Sequence, residues 1–345
     1  MKTMTAVAVL GLALGIMATT GQALITIDTV QIGDPGNADD STGYGGVSYV
    51  YNVGTYEVNL NQYTAFLNAV AATDTYSLYN TSMGMDLNIA GISRSGSSGS
   101  FIYSVIGSGS RPVTYVNWFD AARFANWMAN GQPTGAQGNS TTENGAYSLL
   151  GATSGVGFTK NAINPNTGTT TTWWIPSQNE WYKAAYYDPT KGGTGGYWLY
   201  PTQSDSAPGN TVGSGANQAN YYKNKYSVTQ SATFDPNQNY LTDGGAFSGS
   251  VSYYGTFDQG GNVWEWNDAV ILGDRRGIRG GSWDGLDGAS YESDLRSDFG
   301  GSIDPTFEDG GFGFRVASIP EPSTALLVLM GGAVYWLVRR KKVTL

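Results

Sequence analysis

The sequence predicts one domain of mixed helix and strand, with long ordered loops around an aromatic-rich core. Charged residues are only 13% of the 345, whereas the chain has 49 Gly, 23 Tyr and 10 Trp; disordered chains show the opposite bias. Three segments place apolar residues at helical spacing behind a capping residue. Residues 192–250 lack regular periodicity and predict ordered irregular backbone, since a structureless loop of that length is unusual inside a compact domain.

The first third of the body predicts a strand, a helix and a loop. Residues 47–58 alternate in part between apolar and polar positions and are rich in Tyr and Val, which is typical of a strand. Residues 59–72 bring Leu, Tyr and Val onto one helical face behind Asn59, a residue type that caps helices. Residues 91–110 are rich in Gly and Ser and predict a surface loop.

Two further helices are predicted in the middle of the chain. Residues 118–130 repeat Trp, Ala and Met at helical spacing after Asn117, which is a suitable N-cap. Ser177 and Glu180 form the S-x-x-E pattern of a capping box and open the third helix. Between these helices, residues 146–150 predict a short strand.

The charge of the chain is distributed unevenly. The terminal segments hold five of the 18 basic residues and one of the 27 acidic residues, which leaves 13 basic and 26 acidic residues in the body, a net charge of −13. A surface this negative repels phosphate backbones, so we expect no nucleic-acid binding. The sequence also contains no P-loop and no strand–glycine–helix dinucleotide pattern, so we expect no nucleotide. Cations are the more plausible charged partners.

The chain contains no Cys and no His. Their absence removes thiol nucleophiles, disulfides, imidazole metal ligands and the Ser/His/Asp and Cys/His arrangements. Proton transfer would therefore depend on carboxylates, Lys or Tyr.

The N-terminus predicts a secretory signal over residues 1–23. Lys2 supplies the basic region, an apolar run follows, and Gly21-Gln22-Ala23 provides the small-x-small pattern for cleavage after Ala23. The mature body is then 24–318.

The C-terminal segment 319–345 combines a Pro-Glu-Pro motif, an apolar run over 324–338 and a basic tail at 339–342. The motif residues are Pro320, Glu321 and Pro322. Fifteen apolar residues span about 22 Å as a helix, less than the ~30 Å hydrocarbon core. The basic tail would stay cytoplasmic, which directs the body outward.

This end closely resembles the PEP-CTERM sorting signal, because the three elements occur in order at the C-terminus. The resemblance implies recognition by an exosortase-type membrane protease, a Gram-negative host that makes extracellular polysaccharide, and an inner-membrane intermediate before processing. We therefore expect an exported protein of the envelope or extracellular space, with transient membrane association. The alternative is a plain single-span anchor.

A series of short motifs runs through the body. In order they are Tyr56-Glu57-Val58-Asn59, Pro112-Val113, Trp118 with Asp120-Ala121, Ile175-Pro176-Ser177 with Glu180-Trp181, Gly261-Asn262-Val263-Trp264-Glu265-Trp266, Arg279-Gly280-Gly281-Ser282-Trp283, Arg296-Ser297 and Gly313-Phe314-Arg315-Val316. Their order and spacing over 47–317 resemble the formylglycine-generating enzyme family, the sulfatase-modifying-factor domain. The resemblance implies an α+β, modified C-type-lectin-like fold with short strands, few helices and much irregular loop.

The family's best-known activity oxidises a sulfatase cysteine with two copper-binding cysteines, which the family pattern places between the Gly-Gly-Ser-Trp and Gly-Phe-Arg motifs. Here that stretch, 284–313, contains no Cys, and carboxylates and hydroxyls are poor ligands for Cu(I). A sister branch of the family uses a His-ligated iron, which the absence of His excludes. We therefore expect neither copper nor iron.

The resemblance also implies calcium. One family site maps onto the side chains of Asp258 and Glu265 and the carbonyls of Gly261 and Val263, a hard oxygen shell that suits Ca²⁺. A second family site maps onto Asn220 and the carbonyl of Tyr221. The alternative for Glu265 is a hydrogen bond to loop N–H groups or an ion pair with an arginine, such as Arg279 or Arg315.

Other motif residues have structural interpretations. Large aromatics bury extensive area, so core packing is favoured over a ligand platform for Trp264, Trp266 and Trp283. Arg296 and Arg315 are expected to form structural ion pairs. The acidic residues Asp304, Glu308 and Asp309 are expected to lie on a solvated loop.

Three functions remain open from the sequence. The favoured hypothesis is a non-catalytic, lectin-like module that binds exopolysaccharide, a peptide or another envelope protein. The second is an enzyme with carboxylate-based chemistry on an extracellular substrate, using for example Asp284, Asp287 and Asp294. The third is a purely structural matrix protein. Fold analogy alone does not decide between them.

Overall fold

The structure, a computed structural model, describes residues 24–284 and 292–320. Four α-helices position most of the core, three of them where the sequence predicts them. Their bounds are α1 Leu60–Val70, α2 Ser82–Met85, α3 Trp118–Ala129 and α4 Gln178–Tyr186.

The three longer helices begin at capping boxes. Asn59, Asn117 and Ser177 each accept a hydrogen bond from the backbone N–H three residues later, and the side chain at that position bonds back to the cap's own N–H. These reciprocal bonds satisfy N–H groups that a helix start otherwise leaves unpaired. The predicted caps are confirmed.

The strands are short. They are β1 Thr29–Ile32, β2 Tyr51–Gly54, β3 Ile92–Ser95, β4 Ile102–Val105, β5 Trp173–Trp174, β6 Tyr187–Asp188, β7 Gly196–Tyr197, β8 Trp264–Ile271, β9 Arg275–Arg279, β10 Gly301–Ile303, β11 Phe312–Gly313 and β12 Ala317–Ser318. Only residues 51–54 of the predicted strand 47–58 are strand. The predicted strand at 146–150 is wrong, since two N–H groups there bond the Glu143 carbonyl as a turn.

One four-stranded sheet joins the two ends of the described chain. Its order is β1-β2-β12-β5, and all its pairs are antiparallel. Ala317 of β12 lies between Val53 of β2 and Trp174 of β5. A two-residue strand thus connects segments more than 100 positions apart in the sequence.

The second four-stranded sheet has the order β10-β9-β8-β11 and is antiparallel except for the β8–β11 pair. The long β8–β9 hairpin has a register shift between Trp266 and Val270 and turns through Leu272 and Gly273, both with positive φ. This hairpin holds Glu265 and Arg279 on adjacent strands, as register partners.

The segment 91–110, predicted as a surface loop, forms a two-stranded antiparallel sheet. β3 and β4 pair as a hairpin that buries Ile92 and Tyr103. The Arg94 guanidinium lies over the rings of Tyr79 and Phe101 at 4.6 and 4.3 Å. The loop prediction is wrong because Ile92 and Tyr103 pack into the core, while the Gly and Ser residues at 96–100 form the turn between the strands.

Residues 192–250 are mostly irregular, as predicted. Apart from β7 they contain turns and isolated bridges, such as Gly209 with Gln218 and Ala216 with Gly249. Many backbone groups there bond side chains, for example the Tyr221 carbonyl, which accepts from Asn210. Side-chain amides and hydroxyls therefore satisfy many backbone groups that inter-strand hydrogen bonds would satisfy in a regular sheet.

The main core lies between the first sheet and helices α1 and α3. It is unusually aromatic, and Trp118, Trp127, Trp264 and Trp266 are all at most 1% exposed. The core-packing interpretation of Trp264 and Trp266 is therefore confirmed, and Trp283 is also buried, in a smaller cluster. Within residues 24–284 and 292–320, no helix is long and apolar enough to cross a membrane; the apolar run 324–338 lies outside the described residues.

Replacing Ser177 with Ala is expected to lower the free energy of unfolding by about 1 kcal/mol, because the Ser177 hydroxyl accepts from the Glu180 N–H at the start of α4. Urea denaturation measures the change. Ser98→Ala, at an exposed turn position, is the control and should change stability by less than ~0.5 kcal/mol. Equal effects of the two changes would contradict the capping role.

Candidate functional site

The residues predicted to bind calcium lie close together at the entry to β8. Asn220 forms an isolated bridge with Gly261, so the two predicted ligand sets form one region. Gly261 has φ +85°, and a Cβ there would lie 2.3 Å from the Asn220 carbonyl oxygen. Asp258 and Asn262 also adopt positive φ. This turn requires glycine at position 261, where its backbone comes closest to Asn220. The surrounding residues must stabilise the positive φ angles of Asp258 and Asn262.

Glu265, at the second position of β8, is paired with an arginine. Arg315 Nε and Nη2 donate to its two carboxylate oxygens, both at 2.6 Å, and Trp181 Nε1 donates at 2.7 Å. Glu265 and Arg315 are both fully buried. The structure shows the ion pair with Arg315, which is one of the alternatives that the sequence left open for Glu265.

Two further carboxylates belong to this buried charge cluster. Burial, Asp258 and Glu265 raise the pKa of Glu57 well above its ordinary value, against the opposing effect of Arg315. Burial raises the pKa of Asp258 to about 6, although the Gly245 N–H and Arg315 lower it. One guanidinium therefore balances three carboxyl groups, which favours a protonated Glu57.

Arg315 and Trp181 donate to both oxygens of Glu265, and Arg315 balances its charge, so calcium binding at Glu265 stays a prediction. The Tyr221 carbonyl accepts from Asn210 and Ser227. Over the described ranges, no three Asp or Glu side chains are grouped so that they could hold a metal ion. Calcium at the remaining predicted ligands, including Gly261 and Val263, stays a prediction.

A separate cavity of about 360 Å³ opens beside the β8–β9 hairpin. Its lining is mostly polar with one aromatic ring, and comprises Thr42, Tyr44, Gln178, Ile271, Arg279, Ser297, Asp298, Gly300 and Gly301. Small-molecule sites typically occupy ~300–1,000 Å³ and combine an apolar wall with a few placed polar groups. The volume lies within this range, whereas the lining is more polar than is usual for such sites.

Arg279, the last residue of β9, is the rigid part of this cavity. Its Nη1 donates to the carbonyls of Ser297 and Phe299 at 3.2 and 2.6 Å. With the Gln178 amide oxygen turned toward the guanidinium, Nε and Nη2 donate to it at 2.9 and 2.7 Å. The Tyr44 ring lies 5.2 Å from the guanidinium carbon. Arg279 is 2% exposed, so its donors mainly hold the walls in place.

The exposed side of the cavity is formed by Asp298. Its two oxygens accept from Nε and Nη2 of Arg296, and both side chains are partly exposed. This pair lowers the pKa of Asp298 below its ordinary value, so Asp298 is an ionised hydrogen-bond acceptor at neutral pH. The expected structural ion pairs of Arg296 and Arg315 are both present.

Sequence reasoning missed this cavity. Its residues come from five separate segments, near positions 42, 178, 271, 279 and 298. Arg279 and Ser297 lie in motifs that the sequence analysis singled out, but nothing in the sequence signals that Thr42 and Tyr44 face them.

The carboxylates considered for catalysis are only partly described. Burial and the nearby Asp309 and Asp86 raise the pKa of Asp284 to about 7, and the Ser282 hydroxyl donates to Asp284 at 3.1 Å. Asp294 is 8% exposed, and Asp287 lies outside the described residues. Asp304 and Asp309 are exposed, as predicted, whereas Glu308 is partly buried and bonded to two amides.

Comparison with known proteins identifies the family. The model of the sulfatase-modifying factor enzyme 1-like domain matches residues 47–319. The chain belongs to this family. The predicted α+β fold with few helices, short strands and mostly irregular loops is thereby confirmed. No curated protein matches the chain.

Several solved structures resemble this member of the sulfatase-modifying-factor family. The structure of CarF is 19% identical, covering 86% of this chain and all of its own, with a TM-score of 0.46. Treponema denticola variable protein 1 is 18% identical, covering 85% of this chain and 95% of its own, with a TM-score of 0.45. PvdO from Pseudomonas aeruginosa is 15% identical, covering 85% of this chain and 92% of its own, with a TM-score of 0.42. This family member lacks cysteine altogether.

Proposed function

We propose that this protein is an exported, non-catalytic, lectin-like binding protein of the bacterial envelope or extracellular matrix, and that it binds a glycan in the cavity beside Arg279. The observation that supports this most is the cavity itself, with its volume of about 360 Å³ and its single aromatic wall at Tyr44. Non-catalytic binding also agrees with a chain that has neither Cys nor His.

The chemistry of the lining matches a carbohydrate. The ring of Tyr44 offers an apolar face to the C–H side of a sugar, and the Asp298 carboxylate accepts from sugar hydroxyls. Thr42 adds a hydroxyl that bonds Tyr182 at 2.9 Å, so its orientation is set before a ligand arrives. Such preorganisation reduces the entropy cost of binding.

The proposal is tested by a glycan array followed by calorimetry with the best-binding oligosaccharide. Asp298→Ala and Tyr44→Ala are each expected to weaken binding at least ~10-fold, since each removes one of the few contacts of a small site. Tyr253→Ala is the matched control, because Tyr253 is 40% exposed and does not line the cavity. If all three variants bind like the parent protein, the cavity is not the glycan site. An array without any bound glycan would leave an envelope protein as the partner and would overturn the glycan proposal.

Export and sorting are part of the same proposal. Residues 1–23, with cleavage after Ala23, would direct secretion. The Pro320, Glu321 and Pro322 motif would be recognised by an exosortase-type protease while the segment is at the inner membrane. Of these residues only Pro320 is described in the structure. Mass spectrometry of the exported protein tests this, since an intact tail beyond residue 322 would contradict processing.

An enzyme with carboxylate chemistry is the second candidate. Asp284 favours it, because its pKa of about 7 would let this side chain donate or accept a proton at neutral pH. If the protein hydrolyses a polysaccharide, Asp284→Asn should abolish turnover while the fold is kept. Turnover that survives this change would exclude Asp284 as the acid or base.

A further inference from the structure

The start of helix α3 contains a buried carboxylate oxygen without a partner. Asp120 is 1% exposed. Its Oδ2 accepts from the Asn117 N–H at 3.0 Å, whereas its Oδ1 has no hydrogen-bond partner among residues 24–284 and 292–320. The capping box uses the N–H groups of Asn117 and Asp120, and the Trp118 N–H donates to the Pro305 carbonyl, so none of these donors reaches Oδ1.

A second carboxylate is held beside it by the same residue. Asn117 Nδ2 donates to Glu308 Oε1 at 2.7 Å, and Asn80 Nδ2 donates to Glu308 Oε2 at 2.6 Å. Asn117 therefore contacts both carboxylates, which places them within about one side-chain length of each other.

Neither carboxylate forms an ion pair with a basic side chain in the described part of the chain. No Lys or Arg lies within 4 Å of Asp120 or Glu308. Arg123, one turn along α3, is bound instead to Glu143 at 2.7 Å and stacked over the Tyr76 ring. Burial and the charge of Glu308 raise the pKa of Asp120 well above its ordinary value, although the Asn117 N–H and the charge of Arg123 lower it.

Protonation alone does not resolve this arrangement. An ionised Oδ1 requires a donor or a cation, and a proton on Oδ1 would require an acceptor that the described part of the chain does not supply. Leaving a buried polar atom unsatisfied is costly, and leaving two nearby negative charges unbalanced costs more. The missing partner must therefore come from solution.

We propose that Asp120 Oδ1 and the Glu308 carboxylate bind one Ca²⁺ ion, with water completing the shell. Ca²⁺ prefers hard oxygen ligands and tolerates irregular geometry, and its two positive charges balance the two carboxylates. This site is independent of the glycan proposal. It is also distinct from the ligands predicted around Asp258 and Glu265, where Arg315 already supplies the positive charge. Its role is to attach the segment before β11 to the start of α3.

The test uses calcium itself, with terbium as a luminescent substitute. Calorimetry should find one Ca²⁺ site with a Kd on the order of 0.1–1 mM, typical of extracellular modules. Terbium emission should rise on Trp excitation, because Trp118 lies in the same helical turn as Asp120. Calcium at ~100 times its Kd should raise the Tm by about 3–6 °C. Asp120→Asn and Glu308→Gln should each weaken binding at least ~10-fold.

Two controls make the result decisive. Asp304→Asn removes an exposed carboxylate of the same segment, and Asp258→Asn removes one of the ligands predicted from the family; both should leave this Ca²⁺ affinity unchanged. If Asp120→Asn fails to fold, Glu308→Gln decides alone, because Glu308 is only partly buried. Loss of binding in Asp258→Asn but not in Glu308→Gln would overturn the proposal. The absence of calcium binding up to about 10 mM would also overturn the proposal. A buried water would then be the hydrogen-bond partner of Asp120 Oδ1.

Discussion

Replacing Arg315 with Met is expected to lower the free energy of unfolding by about 3–5 kcal/mol, the usual cost of removing one member of a buried ion pair. The Arg315 side chain is fully buried, pairs with both oxygens of Glu265 and bonds the carbonyls of Gly54 and Phe257. Its loss leaves Glu265, Glu57 and Asp258 without a positive charge. Urea denaturation, followed by tryptophan fluorescence, measures the change.

The same cluster predicts an asymmetry between the two partners. Glu265→Gln is expected to cost clearly less than Arg315→Met, because Arg315 still faces Glu57 and Asp258. Arg296→Met is the control, since its pair with Asp298 is partly exposed and such pairs are worth about 0–1 kcal/mol. An Arg315 variant as stable as the Arg296 variant would show that the three carboxyl groups do not depend on Arg315.

Stability is expected to fall as the pH rises from about 4 to above 7, in part through Asp284. Burial and like charges raise its folded pKa to about 7 from an ordinary 3.8, so the folded state favours the protonated form. This contribution is complete below the unfolded pKa and is lost as the pH rises through the folded pKa. Asp284→Asn should reduce the difference in unfolding free energy between pH 5 and pH 8 by about 2 kcal/mol.

Asp304→Asn provides the comparison for this pH profile. Its hydrogen bonds with Thr306 lower the Asp304 pKa below 3.8, so this residue stays ionised from pH 5 to pH 8 and its removal should leave the slope unchanged. Unfolding curves at several pH values measure both variants. An Asp284 variant with the parent slope would contradict the raised pKa.

The sequence predicted the three longer helices because their determinants are local. Asn59, Asn117 and Ser177 begin helices through bonds to residues three positions ahead, and these bonds need no distant partner. The family motifs likewise predicted the fold class, which the family match confirms.

The hairpin β3–β4 shows where local reasoning fails. Its sequence is rich in Gly and Ser, and what stabilises it is contact with the distant residues Tyr79 and Asn68 through Arg94 and Tyr103. Two-residue strands such as β12 are too short to show an alternating pattern in the sequence. β12 is a strand only because two other strands flank it. Tertiary contact decides strand formation in segments this short.

By itself, the sequence determined the chemical inventory of this protein: no thiol, no imidazole, many buried aromatic residues and an acidic body. The sequence therefore lacks the cysteine and histidine side chains that would bind copper or iron in such chemistry. Only the tertiary structure decided which charges meet: it pairs Glu265 with Arg315 across 50 positions and brings Tyr44 to Arg279 and Asp298 around one cavity. It also leaves Asp120 Oδ1 without a partner within the described ranges. Composition is a property of the chain alone, whereas the partner of a buried charge depends on which distant segments pack around it.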